Sequence, residues 1–379
     1  MITLIKNVRV FREDAWKKSD ILISGEAVEK IDSTISLDYD GLKTVDGEGR
    51  YAIPGFIDSH VHITGGGGEG SFITQVPPIR LSAPVRAGVT TLVGLLGTDG
   101  TTRSVANLVA KTKALNEFGM TAYCLTGNYN YPSPTLTGDV MKDIVFVNEI
   151  IGVKLAITDH RSPNISEEGL IKLASDVRVA GMLGGKAGIV HMHTGKGKNG
   201  YKLLFDILEK TDIPISVFRP SHVNFCYSDG IKLAKMGGYI DFTCFPNDME
   251  DNCRMIINAL GEAPEGSVTV STDSNGSLPI WNEKKEMIGI GAAKISALPE
   301  AVAMMVKKCG YPLEKAIKPA TENAARSLGL YPKKGVLSEG SDADIVLLDV
   351  GLMPDTVFAK GKCMVDKKEL KVRANFEDM

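Results

Sequence analysis

Between residue 55 and about residue 330, short apolar runs alternate with amphipathic segments, and this alternation restricts the possible folds more than any other feature. Besides the run that ends in His60 and His62, the strand-like runs are 88–96, 121–126, 153–157, 188–193, 215–218, 239–243 and 268–271. Helix-like segments lie between them, among others at 102–118, 166–182, 200–210, 231–235 and 250–260. Eight β units, each followed by a crossover, predict an α/β fold: a (β/α)8 barrel of the TIM type.

Both ends of the chain have a different pattern, in which short alternating strands are separated by turn residues. These strand-like stretches are 4–11, 21–24, 27–31, 51–53, 343–349 and 357–365. We therefore expect one small β-sandwich-like domain, residues 1–54 plus 331–379, formed from both chain ends. It would pack beside the barrel, residues 55–330.

The composition excludes several classes of function. A net charge of -3 on 379 residues gives no electrostatic reason to expect nucleic acid or an anionic membrane as a partner. No apolar run approaches the ~20 residues of a membrane span, and the charged N-terminus lacks a signal-peptide core. The six scattered cysteines form no C-x-x-C pair and indicate a reducing compartment. We expect a cytoplasmic protein.

The first barrel strand ends in two histidines, His60 and His62, separated by one residue. Side chains at i and i+2 of a strand project from the same face, so the two imidazoles would lie side by side as half of a divalent-metal site. The glycine-rich run at 65–70 follows at once and favours close approach of a ligand to the backbone. The alternative is an ordinary pair of exposed strand histidines.

Other polar residues stand where later strand-like runs end, which is where barrel enzymes carry their chemistry. His193 closes the fifth run, His222 follows the sixth, and Asp273 closes the eighth. Each alone could be a cap or a satisfied core residue. Together with the first-strand pair they supply too many N and O ligands for one structural zinc, so they predict a catalytic site with one or two metals. His191 shares a face with His193, and we favour His193 because it is nearer the strand end.

Lys154 lies inside the apolar fourth run, which a barrel would bury. A protonated amine beside divalent cations is strongly disfavoured. Two interpretations remain open: the side chain extends outward to solvent, or CO2 has converted its amine to a carbamate that bridges two metals.

Taken together, His60-x-His62, Lys154, His193, His222 and Asp273 resemble the amidohydrolase superfamily, as does the β domain formed from both ends. Within it, the chain is similar to the isoaspartyl dipeptidase family along nearly its whole length. That closer match rests on residues 65–70, 97–100, 126–129, 154–162, 221–224 and 271–277.

The resemblance implies two Zn²⁺ ions per chain, bridged by a carboxylated Lys154. His60 and His62 would bind one ion, with Asp273 completing its shell, and His193 and His222 would bind the other. It further implies a homo-oligomer and hydrolysis of an amide by a hydroxide between the metals.

For catalysis, the resemblance implies that Asp273 carries a proton from the nucleophile to the leaving amine and that Tyr129 stabilises the oxyanion. Glu69 would meet a substrate ammonium and Arg161 a carboxylate. Thr98 and Ser277 would make smaller hydrogen-bonding contributions; each of these side chains is otherwise an ordinary loop residue. A small zwitterionic dipeptide with a β-aspartyl bond fits this pattern.

Position 225 departs from the family, in which an arginine usually follows the sixth-strand histidine by three residues; here it is Phe225. The absence of this arginine predicts a weaker β-aspartyl dipeptidase, or a preference for substrates with an apolar group at that position. Arg219 is a candidate replacement for it. Two other functions stay open: another amidohydrolase, acting on cyclic amides or N-acyl amino acids, and a non-catalytic scaffold stabilised by metal.

Overall fold

The computed structural model describes residues 2–281 and 287–377. In chain order the strands are β1 (Ile2–Arg12), β2 (Ala15–Ser24), β3 (Ala27–Asp32), β4 (Lys43–Asp46), β5 (Tyr51–Pro54), β6 (Phe56–Val61), β7 (Val89–Gly94), β8 (Thr121–Gly127), β9 (Ile150–Ile157), β10 (Ile189–Thr194), β11 (Phe218–Ser221), β12 (Ile240–Thr243), β13 (Val268–Ser271), β14 (Ser277–Trp281), β15 (Met287–Ala292), β16 (Ile345–Leu348), β17 (Pro354–Ala359), β18 (Lys362–Asp366) and β19 (Glu369–Leu370). The α-helices are α1 (Ser82–Arg86), α2 (Val105–Glu117), α3 (Val140–Phe146), α4 (Glu167–Gly184), α5 (Lys202–Lys210), α6 (Tyr227–Lys235), α7 (Met249–Glu262), α8 (Ala297–Lys307), α9 (Leu313–Ala316) and α10 (Glu322–Ser327).

Eight parallel strands form the barrel predicted from the alternating pattern. Strands β6 to β11 make one sheet in chain order, and β12 pairs with β13. The ring is completed where β11 lies against β12 and where β13 lies against β6, the latter joined by a bridge between Val61 and Ser274. Because helices cover the outside, the strands are buried on both faces, which explains their nearly continuous apolar sequences.

The sixth barrel strand begins later than the sequence pattern indicates. The predicted strand at 215–218 is mostly a 3-10 turn, Ile215–Val217, and β11 runs from Phe218 to Ser221. Apolar content identified the buried position of Val217, but it did not distinguish a turn from a strand. The observed strand ends directly before His222.

The chain ends form one nine-stranded mixed sheet rather than two separate sheets. Its order is β19-β18-β17-β16-β5-β1-β2-β3, and β4 also pairs with β1. Strand β16 pairs with β5, which joins the two chain ends directly. The sheet has an apolar core of its own, with Ile5, Ile21 and Phe358 fully or almost fully buried.

Serine side chains cap the starts of two of the longer helices, α2 and α4. The side chain of Ser104 accepts a hydrogen bond from the backbone of Asn107 at the start of α2, and Ser166 does the same for Gly169 at the start of α4. Among the described residues, no helix is long and apolar enough to cross a membrane.

Candidate active site

The residues predicted for the site converge on one mouth of the barrel. All of them except His60 and Lys154 line a single cavity of about 210 Å³. The predicted residues that line it are His62, Glu69, Thr98, Tyr129, Arg161, His193, His222, Asp273 and Ser277. They follow the carboxyl ends of the strands, as expected for chemistry in a barrel.

His60, His62 and Asp273 form a compact group with potential ligand atoms within 4.8 Å of one another. Oδ1 of Asp273 lies 3.1 Å from Nε2 of His60 and 3.0 Å from Nε2 of His62, yet makes no hydrogen bond with adequate geometry. Two imidazole nitrogens and a carboxylate oxygen facing one point, without satisfying one another, suit a divalent cation. The group is a candidate metal site typical of amidohydrolases.

Two of the predicted ligands adopt left-handed backbone conformations at the ends of their strands. The φ angle is 59° at His222 and 53° at Asp273. Histidine and aspartate are among the residues that tolerate this region best, although it costs a non-glycine residue ~1–3 kcal/mol. The strands therefore end abruptly at these residues, and both side chains line the cavity.

Buried side chains around the metal group orient its imidazoles. Nε2 of His191 lies 3.2 Å from Nδ1 of His60, and Oδ1 of Asp58 accepts the backbone hydrogen bond of His60 at 3.2 Å. Nδ1 of His222 lies 2.7 Å from Oγ1 of Thr243, which leaves Nε2 of His222 buried without a partner. Such contacts fix the tautomer and the direction of a metal-binding histidine.

Lys154 is fully buried, so the interpretation that it extends to solvent is wrong. Its Nζ lies 3.4 Å from Nε2 of His60 and 5.7 Å from the ring centre of Tyr129. Burial lowers the pKa of Lys154 to about 7. A substantial neutral fraction follows, and the neutral amine is the form that can react as a nucleophile.

Three of the histidines, His60, His193 and His222, are held in the neutral form that binds metals. Burial lowers the pKa of His60 to about 3 and that of His193 to about 4, and holds the pKa of His222 well below its ordinary value. For Asp273, burial opposes ionisation, but the neighbouring histidines His60, His62 and His222 together outweigh it and hold the pKa well below its ordinary value.

His193 differs from His222 in that both of its ring nitrogens have protein partners. Nδ1 lies 2.7 Å from the hydroxyl of Tyr129, and Nε2 lies 3.1 Å from Asp159 and 3.2 Å from Arg161. A metal at Nε2 would therefore displace these two neighbours. Asp159 was not predicted as a site residue, although it stands just past the end of β9, where the strand-end rule would have found it.

The predicted substrate-binding side chains contact one another at the cavity rim. Oε1 of Glu69 lies 3.1 Å from Nη1 of Arg161 and accepts hydrogen bonds from Thr98 and Ser277, each at 3.2 Å. Asp159 grips the other side of the guanidinium, with its Oδ1 2.9 Å from Nε. Ser277 is positioned by the β14–β15 hairpin, which was not predicted.

Close packing explains two of the glycines in this region. Gly65 has a φ of +84°, and a Cβ there would lie 1.8 Å from the backbone oxygen of Val76. A Cβ at Gly97 would lie 2.9 Å from the ring of His62. Gly65 thus serves the folding of its own loop, whereas Gly97 leaves room for a metal-site imidazole.

Phe225 faces the cavity, so the departure from the family lies within the pocket. Its ring is stacked 5.6 Å from that of Phe245, which also lines the cavity and was not predicted. Arg219 does not replace the missing arginine: its guanidinium donates to the backbone oxygens of Phe218 and Ser327 and lies over Tyr239. Those contacts direct it away from the site.

A candidate metal site at the carboxyl ends of barrel strands, beside a pocket with charges of both signs, is an arrangement of metal-dependent hydrolases. The amidohydrolase family model matches residues 51–368. The chain therefore belongs to the amidohydrolase family.

Solved structures give a narrower likeness. The chain is 39% identical to the β-aspartyl dipeptidase of the thermophilic keratin degrader Fervidobacterium islandicum AW-1, crystallised with a β-Asp-Leu dipeptide; both chains are covered completely, with a TM-score of 0.91. A second structure of a β-aspartyl dipeptidase from Fervidobacterium islandicum AW-1 is 38% identical, with a TM-score of 0.89 over 100% of both chains.

More distant relatives share the fold. A dihydropyrimidinase from Brevibacillus agri NCHU1002 is 18% identical, with a TM-score of 0.68 over 99% of this chain and 97% of the other. The L-hydantoinase of Paenarthrobacter aurescens is 21% identical over 92% of this chain and 86% of its own length.

Proposed function

We propose that this amidohydrolase is a β-aspartyl dipeptidase that cleaves the isopeptide amide between an aspartyl side chain and the next amino acid. The observation that carries the proposal is the Glu69–Arg161 pair, which places one charge of each sign beside the candidate metal ligands. Such a pocket suits a substrate whose free amine and free carboxylate lie close to the scissile amide. The full-length likeness to the Fervidobacterium dipeptidase supports it.

We further propose two Zn²⁺ ions per chain and a carboxylated Lys154. His60, His62 and Asp273 fit one ion, because their ligand atoms face one another with Oδ1 of Asp273 unsatisfied. His222, with its buried unpartnered Nε2, and His193 would hold the other. When bound, two divalent ions would polarise the scissile carbonyl and make a shared water more acidic.

The chain's own residues would perform the remaining steps. Asp273, an anion facing the cavity, would accept a proton from the attacking water and deliver it to the leaving amine. Burial raises the pKa of Tyr129 well above its ordinary value, so its hydroxyl stays protonated and can donate to the developing oxyanion. Glu69 would bind the substrate ammonium, and Arg161 the neighbouring carboxylate.

Metal analysis combined with a substrate panel tests this proposal. The panel contains β-aspartyl, γ-glutamyl and α-linked dipeptides together with hydantoin and dihydropyrimidine rings. Hydrolysis confined to the β-aspartyl compounds, in protein with about two divalent ions per chain, supports it. Ring opening faster than dipeptide cleavage would assign the chain to the cyclic-amide hydrolases, and metal binding without any hydrolysis would favour a scaffold.

A further inference from the structure

The charges of the substrate and of the cavity do not match. A β-aspartyl dipeptide carries one ammonium and two carboxylates, one on the aspartyl part and one on the leaving amino acid. Among the described residues that line the cavity, Arg161 alone bears a fixed positive charge, and both Glu69 and Asp159 already contact it. One substrate carboxylate therefore needs a cation from outside the lining.

Lys196 is such a cation, placed next to Phe225. It is exposed on the loop after β10, and its Nζ lies 5.1 Å from the ring centre of Phe225. Within the described part of the chain, the Lys196 ammonium contacts this ring alone and forms no ion pair with a carboxylate. The attraction between the ammonium and the ring face keeps the charge beside Phe225, which lines the candidate active-site cavity, while Lys196 itself lines a second cavity that Asp159 also lines.

The rings beside Lys196 provide an apolar surface. Phe225 and Phe245 stack on each other, and the Phe245 ring also lies stacked 6.2 Å from that of His222. This surface adjoins the candidate metal ligands, on which the scissile amide would be centred. Cation and apolar wall together match the two features of a leaving amino acid such as leucine: its carboxylate and its side chain.

We infer that Lys196, Phe225 and Phe245 form the subsite for the leaving amino acid, in which Lys196 binds its carboxylate and the two rings pack against an apolar side chain. The inference rests on the proposed function. It adds which leaving amino acids the same site prefers, namely those with an apolar side chain. A lysine suits this place because its flexible stem lets the ammonium leave the ring face and reach the carboxylate.

The test compares β-Asp-Leu with its C-terminal amide, which lacks the negative charge but keeps the leucine side chain. For Lys196→Ala we expect a ~10-fold or greater loss of kcat/KM on β-Asp-Leu, mainly through KM, and little change on the amide. Lys196→Arg keeps the charge and should retain most of the activity. Lys198→Ala, an exposed lysine of the same loop with no contact to the rings, is the matched control.

The outcomes separate this subsite from the proposed function. Wild-type cleavage of β-Asp-Leu with an unchanged rate in Lys196→Ala removes the subsite and leaves the dipeptidase intact. Equal losses of kcat/KM on β-Asp-Leu and on its amide would show a structural effect of Lys196→Ala, and they would also overturn the assignment of Lys196 to the carboxylate. A wild-type enzyme that cleaves neither compound overturns the proposed function, and the subsite with it.

Discussion

Nη1 of Arg161 lies 3.1 Å from Oε1 of Glu69, so the two charges proposed to bind a zwitterionic substrate neutralise each other in the free protein. Their side chains are each a quarter exposed, which moderates the cost of separating them. A zwitterion could exchange this contact for two of its own, whereas a ligand with only a carboxylate would leave Glu69 without a cation; Arg161 keeps Asp159 as a partner in either case. The pair thus favours substrates that carry both charges.

Replacing Glu69 with Gln should therefore lower kcat/KM more for dipeptides than for their N-acetylated forms. Removing one partner of a charge pair costs ~2–5 kcal/mol, and the partial exposure places this case near the lower end, or ~30-fold in kcat/KM. The measurement is kcat/KM for β-Asp-Leu and for N-acetyl-β-Asp-Leu in wild type and variant. Equal losses on the two compounds would mean that Glu69 does not bind the ammonium.

Lys154→Ala should remove metal and activity together, because the variant lacks the amine from which the proposed bridging carbamate forms. We expect wild type to hold about two divalent ions and the variant to hold fewer, with partial rescue by a small carboxylate such as formate or propionate. Metal analysis and rate are measured on the same samples. Lys172→Ala, an exposed lysine paired with Asp176, is the control. Full metal content and rate in Lys154→Ala would refute the carbamate.

Thr243 holds the ring of His222 from behind, with 2.7 Å between Oγ1 and Nδ1. Thr243→Val keeps the shape but removes this contact, so the ring loses its fixed tautomer. We expect metal affinity to fall ~10–100-fold, measured by competition with a chelator. Thr112→Val, which removes a buried hydroxyl in α2, serves as the control. Unchanged metal affinity would mean that His222 is oriented by other contacts or binds no metal.

A buried group of ion pairs stabilises the chain segment that leads into the C-terminal strands. Nζ of Lys334, only 5% exposed, lies 2.8 Å from Asp342 and 2.6 Å from Asp344. Lys334→Met would leave Asp344 without its cation and Asp342 with only the exposed Lys333, so we expect the free energy of unfolding to fall by ~3–5 kcal/mol. Denaturant unfolding of wild type and variant measures it. A loss below 1 kcal/mol would show that water replaces the lysine at little cost.

The same group predicts how stability depends on pH. Burial opposes ionisation of Asp342, but the hydrogen bonds and positive charges of Lys334 and Lys333 together outweigh it and hold the pKa of the carboxyl below its ordinary value. A depressed carboxyl pKa contributes stability above the unfolded pKa near 4, and this contribution disappears as the pH falls through the folded value. The wild-type protein should lose more stability than Lys334→Met on acidification below about pH 4.

The barrel and the candidate metal group of His60, His62 and Asp273 were predictable because their signals are local. A strand ending in His60 and His62 places two imidazoles on one face whatever surrounds it, and the eight-fold alternation decides which strand ends meet. The contacts behind the ligands were not predictable in this way. His191 and Thr243 reach the histidines only after separate strands have come together, and no spacing in the sequence reveals such a contact.

The direction in which a side chain points was the other feature that the sequence did not predict. Arg219 and Phe225 lie on either side of His222 in sequence, and only the structure shows that the arginine turns toward backbone carbonyls while the phenylalanine lines the pocket. Likewise, the opposite charges of Glu69 and Arg161 were predicted, but not that each is the other's partner. The domain limits and the roles of the site residues remain predictions.

An arginine at position 225 should restore what Lys196→Ala loses, because Phe225 lines the cavity at the point where Lys196 approaches it. In the wild-type background, Phe225→Arg should add little for β-Asp-Leu, since a cation is already present, and it should weaken the preference for apolar leaving residues by breaking the stack with Phe245. In the Lys196→Ala background it should recover kcat/KM by ~10-fold. The measurement is kcat/KM for β-Asp-Leu and β-Asp-Gly in all four combinations. Equal gains in both backgrounds would show that the two cations act independently, and no gain in either would place the carboxylate elsewhere.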